Sequence, residues 1–223
     1  QAEPHVSVFD LDRARPLSAA FFNRPTAVVA RELVGKVIAS RIGGELAAGA
    51  IVETEAYLGA DDPGSHAATR GVTLRNRVMY GAPGCTYVYF TYGNHHMLNL
   101  VTEDEGTAGA VLVRAVEPVA GIDVMRRRRR GREGADLTNG PGKVAEALGV
   151  TLKHNAVLLG DELAVYDAPA LEDDAVGVSG RIGLAAGHEL PLRFYAVGNG
   201  YVSKGRTGPK PQKRAPAAEK GTT

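Results

Sequence analysis

Leu46-Ala47-Ala48-Gly49-Ala50-Ile51-Val52-Glu53-Thr54-Glu55-Ala56-Tyr57 is the segment on which the fold turns. It is aliphatic up to Val52 and follows Gly43-Gly44, a two-residue hairpin signal. It therefore reads as a strand returning antiparallel along a first strand over Lys36–Ile42. Side chains two apart on a strand share a face. Glu53, Glu55 and Tyr57 then point one way, provided the strand is regular. The carboxylates are either edge-strand charges or partly buried bases.

Outward from that segment, Gly59-Ala60-Asp61-Asp62-Pro63-Gly64 carries strong turn chemistry. Arg70–Met79 is polar, a helical turn or an ordered loop. Thr86–Thr91 and Met97–Thr102 read as paired strands around Tyr92-Gly93-Asn94-His95, a tight hairpin turn. Gly109–Val116 reads as a buried apolar strand. Pro118–Arg130 reads as a helix with Pro118 in its first turn. Upstream, Pro25 opens and Gly35 closes a short helix. Asn139-Gly140-Pro141-Gly142-Lys143 leads into a helix ending near Gly149. Short strands follow near Leu163–Tyr166, Val176–Ile182 and Leu192–Val197. The expectation is α+β: one domain over residues 1–203, with a curved antiparallel sheet and peripheral helices. Residues 204–223 read as a basic Pro/Lys-rich tail without fixed structure.

Composition bounds the function. The chain has 223 residues, enough for a sizeable core without staples. The single cysteine, Cys85, excludes an intrachain disulfide and fits a cytoplasmic setting. No apolar run approaches the roughly 18 residues a membrane span needs, and no signal-peptide pattern opens the chain. The net charge is only +1, but residues 201–223 hold six basic residues and one acid. A second basic block comprises Arg126–Arg130 and Arg132. Such blocks are either solvated faces or contacts to a polyanion. Five of the eight tyrosines fall between positions 57 and 92, as core packing or as a base-stacking pocket.

Several motifs fail. Gly142-Lys143 lacks the earlier Gly and the following Ser or Thr of a P-loop; positions 137 and 144 are Leu and Val. His95, His96, Asp61, Asp62 and His66 carry no metal-ligand spacing. No GxSxG elbow occurs.

Taken in order, the residues resemble the alkyladenine (3-methyladenine, methylpurine) DNA glycosylase family, as a bacterial-type member. The carriers are Val52-Glu53-Thr54-Glu55-Ala56-Tyr57-Leu58-Gly59, His66, Arg75-Asn76-Arg77, and Gly84-Cys85-Thr86-Tyr87-Val88-Tyr89-Phe90-Thr91-Tyr92-Gly93. Asn99, Val111-Leu112-Val113-Arg114-Ala115-Val116-Glu117-Pro118, Asn139–Lys143 and Leu192–Tyr195 continue it, from about Pro25 to Ser203. The resemblance implies an open-barrel-like core with a protruding β-hairpin. It also implies an enzyme that flips a damaged purine from duplex DNA and hydrolyses its N-glycosidic bond.

Residue by residue, Glu55 matches the base that activates water, and Arg114 the arginine that orients both. Tyr57, His66 and Tyr89 match the pocket walls, Asn99 a gate against guanine, and Tyr92 the intercalating wedge. Arg75, Arg77, Arg126 and Lys143 are candidates for DNA-backbone contact. Glu53 reads as structural, and Tyr87 as support for the pocket floor. No amine nucleophile, metal or organic cofactor is implied, so the expected enzyme is a monofunctional monomer. His95 and His96 depart from the aromatic residues of mammalian members at these places. The competing readings are a non-catalytic module that binds damaged DNA and a hydrolase of free nucleosides.

Overall fold

The computed structural model describes residues 9–91 and 95–205, apart from the side chains of Thr69 and Arg70. Five α-helices occur among them: α1 (Ala19–Phe22), α2 (Thr26–Leu33), α3 (His66–Arg70), α4 (Ile122–Arg128) and α5 (Pro141–Leu148). The strands are β1 (Val37–Ser40), β2 (Ala47–Tyr57), β3 (Thr86–Thr91), β4 (His95–Val101), β5 (Ala110–Ala120), β6 (Leu163–Tyr166), β7 (Val176–Ser179) and β8 (Arg193–Ala196). They form one curled antiparallel sheet in the order β3-β4-β5-β2-β1-β6, with β8 also on β2 and β7 on β8. The α+β expectation is met as a half-barrel with helices around it.

The strand that decides the fold also explains the curl. β5 follows β2 along most of its length. The opposite edge of β2 changes partner midway. Ala47–Ala50 pair with β1, whereas Glu53–Glu55 pair with β8. One strand thus serves two diverging neighbours, and the twist of each pair opens a mouth between them. Inside, α2 contributes Val29, Ala30 and Leu33, and α5 contributes Val144, Ala145, Ala147 and Leu148, all buried. They pack on Ile38, Ile51, Val111, Val113 and Val116. Each fully buried aliphatic side chain of this size stabilises the fold by about 1.5–3 kcal/mol.

Two local expectations fail. Gly43-Gly44 does not make a two-residue hairpin. Both glycines have positive φ, 72° and 75°, inside a short 3-10 turn, and β1 ends earlier, at Ser40. Pro118 does not begin a helix. It lies within β5 opposite Gly49, where the register shifts. At such an irregularity the missing N–H of proline is tolerated. The helix starts at Ile122, after Gly121 turns the chain with φ 68°. A Cβ at Gly121 would collide with the Leu46 carbonyl, so the turn demands glycine. The β3–β4 ladder is in register from Thr86↔Leu100 to Thr91↔His95. Tyr92 lies outside the described residues, as does the tail from residue 206.

Candidate active site

Between Glu53 and Glu55 the β2–β5 ladder is irregular. Glu53 faces Ala115 and Thr54 faces Val113, so Arg114 is an extra residue on β5. An extra residue of this kind re-aims its side chain. Here it sends the guanidinium between the two carboxylates. Arg114 Nε donates to Glu53 Oε1 at 3.0 Å and Nη1 to Glu55 Oε2 at 3.3 Å. Both glutamates are completely buried, and the Arg114 side chain is 8% exposed.

The two acids have different surroundings. Glu53 accepts from Arg193 Nε at 2.7 Å, the Ser203 N–H at 2.7 Å and the Ser203 hydroxyl at 2.8 Å. Burial alone would raise its pKa, but Arg114 and Arg193 together hold it below the ordinary carboxylate range. All these partners are internal to the protein.

Glu55 accepts from the Tyr57 hydroxyl at 2.7 Å and from the Ile182 N–H at 2.7 Å, besides Arg114. A carboxylate offers about four acceptor directions. The described residues fill three, and the carboxylate has no exposed surface, so a water or a sugar reaches the fourth only if the site opens. Burial, then the Glu55 charge, pushes the Tyr57 hydroxyl well above its usual value, so it stays a donor.

A ring-lined cavity of about 70 Å³ adjoins this centre. Its walls include Tyr57, His66, Tyr87, Tyr89 and Asn99, with Leu184 at one side. His66 opens α3, whose first turn is capped by Ser65. Its ring meets Tyr89 edge-on at 4.9 Å, and its Nδ1 lies 3.1 Å from the Tyr87 hydroxyl. Burial, aided by the Arg75 charge, lowers the His66 pKa, so the ring is neutral at neutral pH. Asn99 is locked from behind, because its amide donates to the Tyr87 carbonyl at 3.0 Å.

The structure thus brings Glu55, Arg114, Tyr57, His66, Tyr89 and Asn99 to one place. Of the backbone-contact candidates, Arg75 touches the ring walls and the other three do not. Arg75 lies across Tyr89, its guanidinium carbon 4.9 Å from the ring centre, and donates to the Phe90 carbonyl. Arg77 is exposed on a short 3-10 turn. Lys143 donates to Asp136 at 2.5 Å and Asn139 at 2.7 Å, and with Arg114, Ser203 and Lys204 it lines a polar cleft of about 590 Å³. Arg126 is held by Asp123 at 3.0 Å. Among the described residues no group of three or more His, Cys, Asp or Glu side chains is placed to hold a metal ion.

Sequence reasoning missed a second buried pair. Arg181 donates to both oxygens of Asp62, at 2.6 and 2.5 Å, and to the carbonyls of Ala56 and Gly187. Its guanidinium also lies 4.9 Å from the Tyr57 ring centre. It clamps the loop before His66 to the segment that presents the Ile182 N–H to Glu55.

These ion pairs give the fold an acid limit. Glu53 and Asp62 both have folded-state pKa values below their unfolded ones. Their contribution is complete above about pH 4–5, the ordinary carboxylate range. It is lost as the pH falls from there through the depressed folded values, because over that window the unfolded chain takes up protons that the folded state still refuses. Urea-unfolding free energy should therefore be level with respect to these two groups from pH 7 to 5 and decline below. Glu53→Gln should flatten part of that decline.

The comparisons agree with the geometry. A family model described as methylpurine-DNA glycosylase matches residues 20–200. A protein of Chlorobaculum parvum is 45% identical over 92% of this chain and 98% of its own length. One of Chlorobium luteolum is 48% identical over 85% and 97%, and one of Carboxydothermus hydrogenoformans is 45% identical over 84% and 98%. All three are provisionally named 3-methyladenine DNA glycosylases. With the match spanning most of the domain, the chain belongs to the methylpurine-DNA glycosylase family.

Proposed function

We propose that this protein takes an alkylated or deaminated purine out of duplex DNA and hydrolyses its N-glycosidic bond with a water activated by Glu55. Membership of the family makes it a DNA glycosylase, a hydrolase. The observation that carries the finer reading is the place of Glu55. Tyr57 links it to a cavity lined with rings, and Arg114 links it to a polar cleft bearing Lys143, Lys204 and Asp136. A flipped nucleotide has an apolar base and an anionic backbone. Base in the rings and phosphate in the cleft would bring C1′ to the carboxylate between them.

In that arrangement Glu55 accepts the proton of the attacking water, the new bond forms at C1′, and the base departs with the glycosidic electron pair. The carboxylate also stabilises the oxocarbenium-like sugar. Arg114 and the Tyr57 hydroxyl hold the carboxylate in position. Tyr57, His66 and Tyr89 stack on the base; a cationic alkylpurine gains cation–π attraction there, on the order of 1–2 kcal/mol. The locked Asn99 crowds the guanine amino group. Among the described residues no lysine lines the ring cavity; we take the enzyme to be monofunctional. At about 70 Å³ the cavity has room for a few waters rather than a bicyclic base, so its rim must open as the base enters. Tyr92 is the residue we assign to the gap left in the duplex.

The discriminating experiment offers the protein lesion-bearing duplexes and the matching free nucleosides, and reads free base by chromatography. Release from duplexes alone supports the reading. Binding without release would mean a damaged-DNA-binding module, and turnover of nucleosides would mean a nucleoside hydrolase.

A further inference from the structure

The structure divides the arginine block in two. Arg126 faces Asp123 and Glu133, and Arg127 faces Glu45. The other four, Arg128, Arg129, Arg130 and Arg132, line a single cleft of about 840 Å³. Among the described residues the one carboxylate on its walls is Glu146, which pairs with Arg129. Arg128 donates to the carbonyls of Ala147 and Ile42, which bring no compensating charge. Arg132 has only an exposed partner, Asp136, at 3.6 Å. Arg130 has no ion pair or side-chain hydrogen bond among the described residues. A concave surface with four cations against one anion focuses positive potential. Its size and the spread of its charges suit a chain of phosphates better than one.

Its location narrows the choice further. His95 and His96, which open β4, form part of the cleft wall. A Cβ on Gly142 would lie within 3 Å of His95, so the first residue of β4, at the turn end of the β3–β4 hairpin, is seated directly on the first turn of α5. Gly142 faces this cleft, while Gly140 and Lys143 face the polar cleft beside Arg114. The two clefts therefore meet around that turn, the arginine-lined one beside the one that holds Lys143, Lys204 and Asp136.

We propose that this arginine-lined cleft holds sugar–phosphate backbone of the duplex beyond the lesion, so that Arg130 and Arg132 extend the DNA footprint. This rests on the duplex-DNA reading above. Arg130 and Arg132 take the phosphates, Arg128 supplies fixed charge, and Arg126 and Arg127 stay with their own carboxylates.

Binding to an undamaged duplex, followed by fluorescence anisotropy as salt is varied, tests this. Each lost phosphate contact should reduce the slope of log K against log salt by about 0.9. Arg130→Ala/Arg132→Ala should thus flatten the slope by about 2, whereas Arg126→Ala/Arg127→Ala leaves it unchanged. Both pairs are exposed, and thermal unfolding checks that the fold is kept. A wild-type slope in the first variant overturns the proposal, as does an equal loss in the second. A slope change seen with an RNA duplex alone would also overturn it. Base release from a lesion duplex at saturating enzyme is measured alongside. Release with unchanged slopes refutes the cleft assignment alone; slopes changed as expected without any release by the wild type refute the glycosylase reading alone.

Discussion

Glu55→Gln is expected to slow base release by 10²- to 10⁴-fold, the usual range for losing a general base, while affinity for the lesion duplex changes little. Gln keeps the volume of Glu in a site with no exposed surface. It cannot take a proton from water. Its amide nitrogen would also face donors whichever way it turns: Arg114 and the Tyr57 hydroxyl on one side, or the Ile182 N–H on the other. Tyr57 and Ile182 contact the carboxylate from different elements, so the variant reports on the charge rather than on one contact. Single-turnover release read by chromatography, with anisotropy for binding, separates the two effects. Release at the wild-type rate would remove Glu55 from the mechanism.

Asp62→Ala is expected to destabilise the fold by about 3–5 kcal/mol, as removal of one partner from a buried pair does. Asp62 and Arg181 have no exposed side-chain surface, and Arg181 Nε has no hydrogen-bond partner among the described residues. Without the carboxylate the guanidinium keeps two carbonyls and no counter-charge. That loss is a large share of the roughly 5–15 kcal/mol of a typical domain. Pairing the change with Arg181→Met should recover much of it, because the buried charge then disappears as well. Urea unfolding of the three variants reads both numbers. A loss below about 1 kcal/mol for Asp62→Ala would show that solvent reaches Arg181.

The parts of this structure legible in the sequence are local. β2, β3, β4 and α5 follow from short-range pattern and from Gly and Pro punctuation. Glu55 and Tyr57 fall on one side because they are two apart, and the hydroxyl does reach the carboxylate. What could not be read depends on irregularity or distance. Arg114 meets two acids because the β2–β5 ladder slips beside it, and no residue type announces that slip. Pro118 misled because a proline before an apolar–basic stretch resembles a helix start; a ladder irregularity absorbed it instead. Asp62 and Arg181 are 119 residues apart and meet through loops. Five consecutive arginines and Arg132 look uniform in the sequence, yet carboxylates on the same helix and on other elements claim some and leave others facing a cleft.

The most direct measurement is the product of a methylated duplex incubated with the wild-type protein in excess. The account predicts free 3-methyladenine on the chromatogram and a strand that stays intact until the abasic site is cleaved by alkali. No released base, or strand breakage concurrent with release and without alkali, would contradict it.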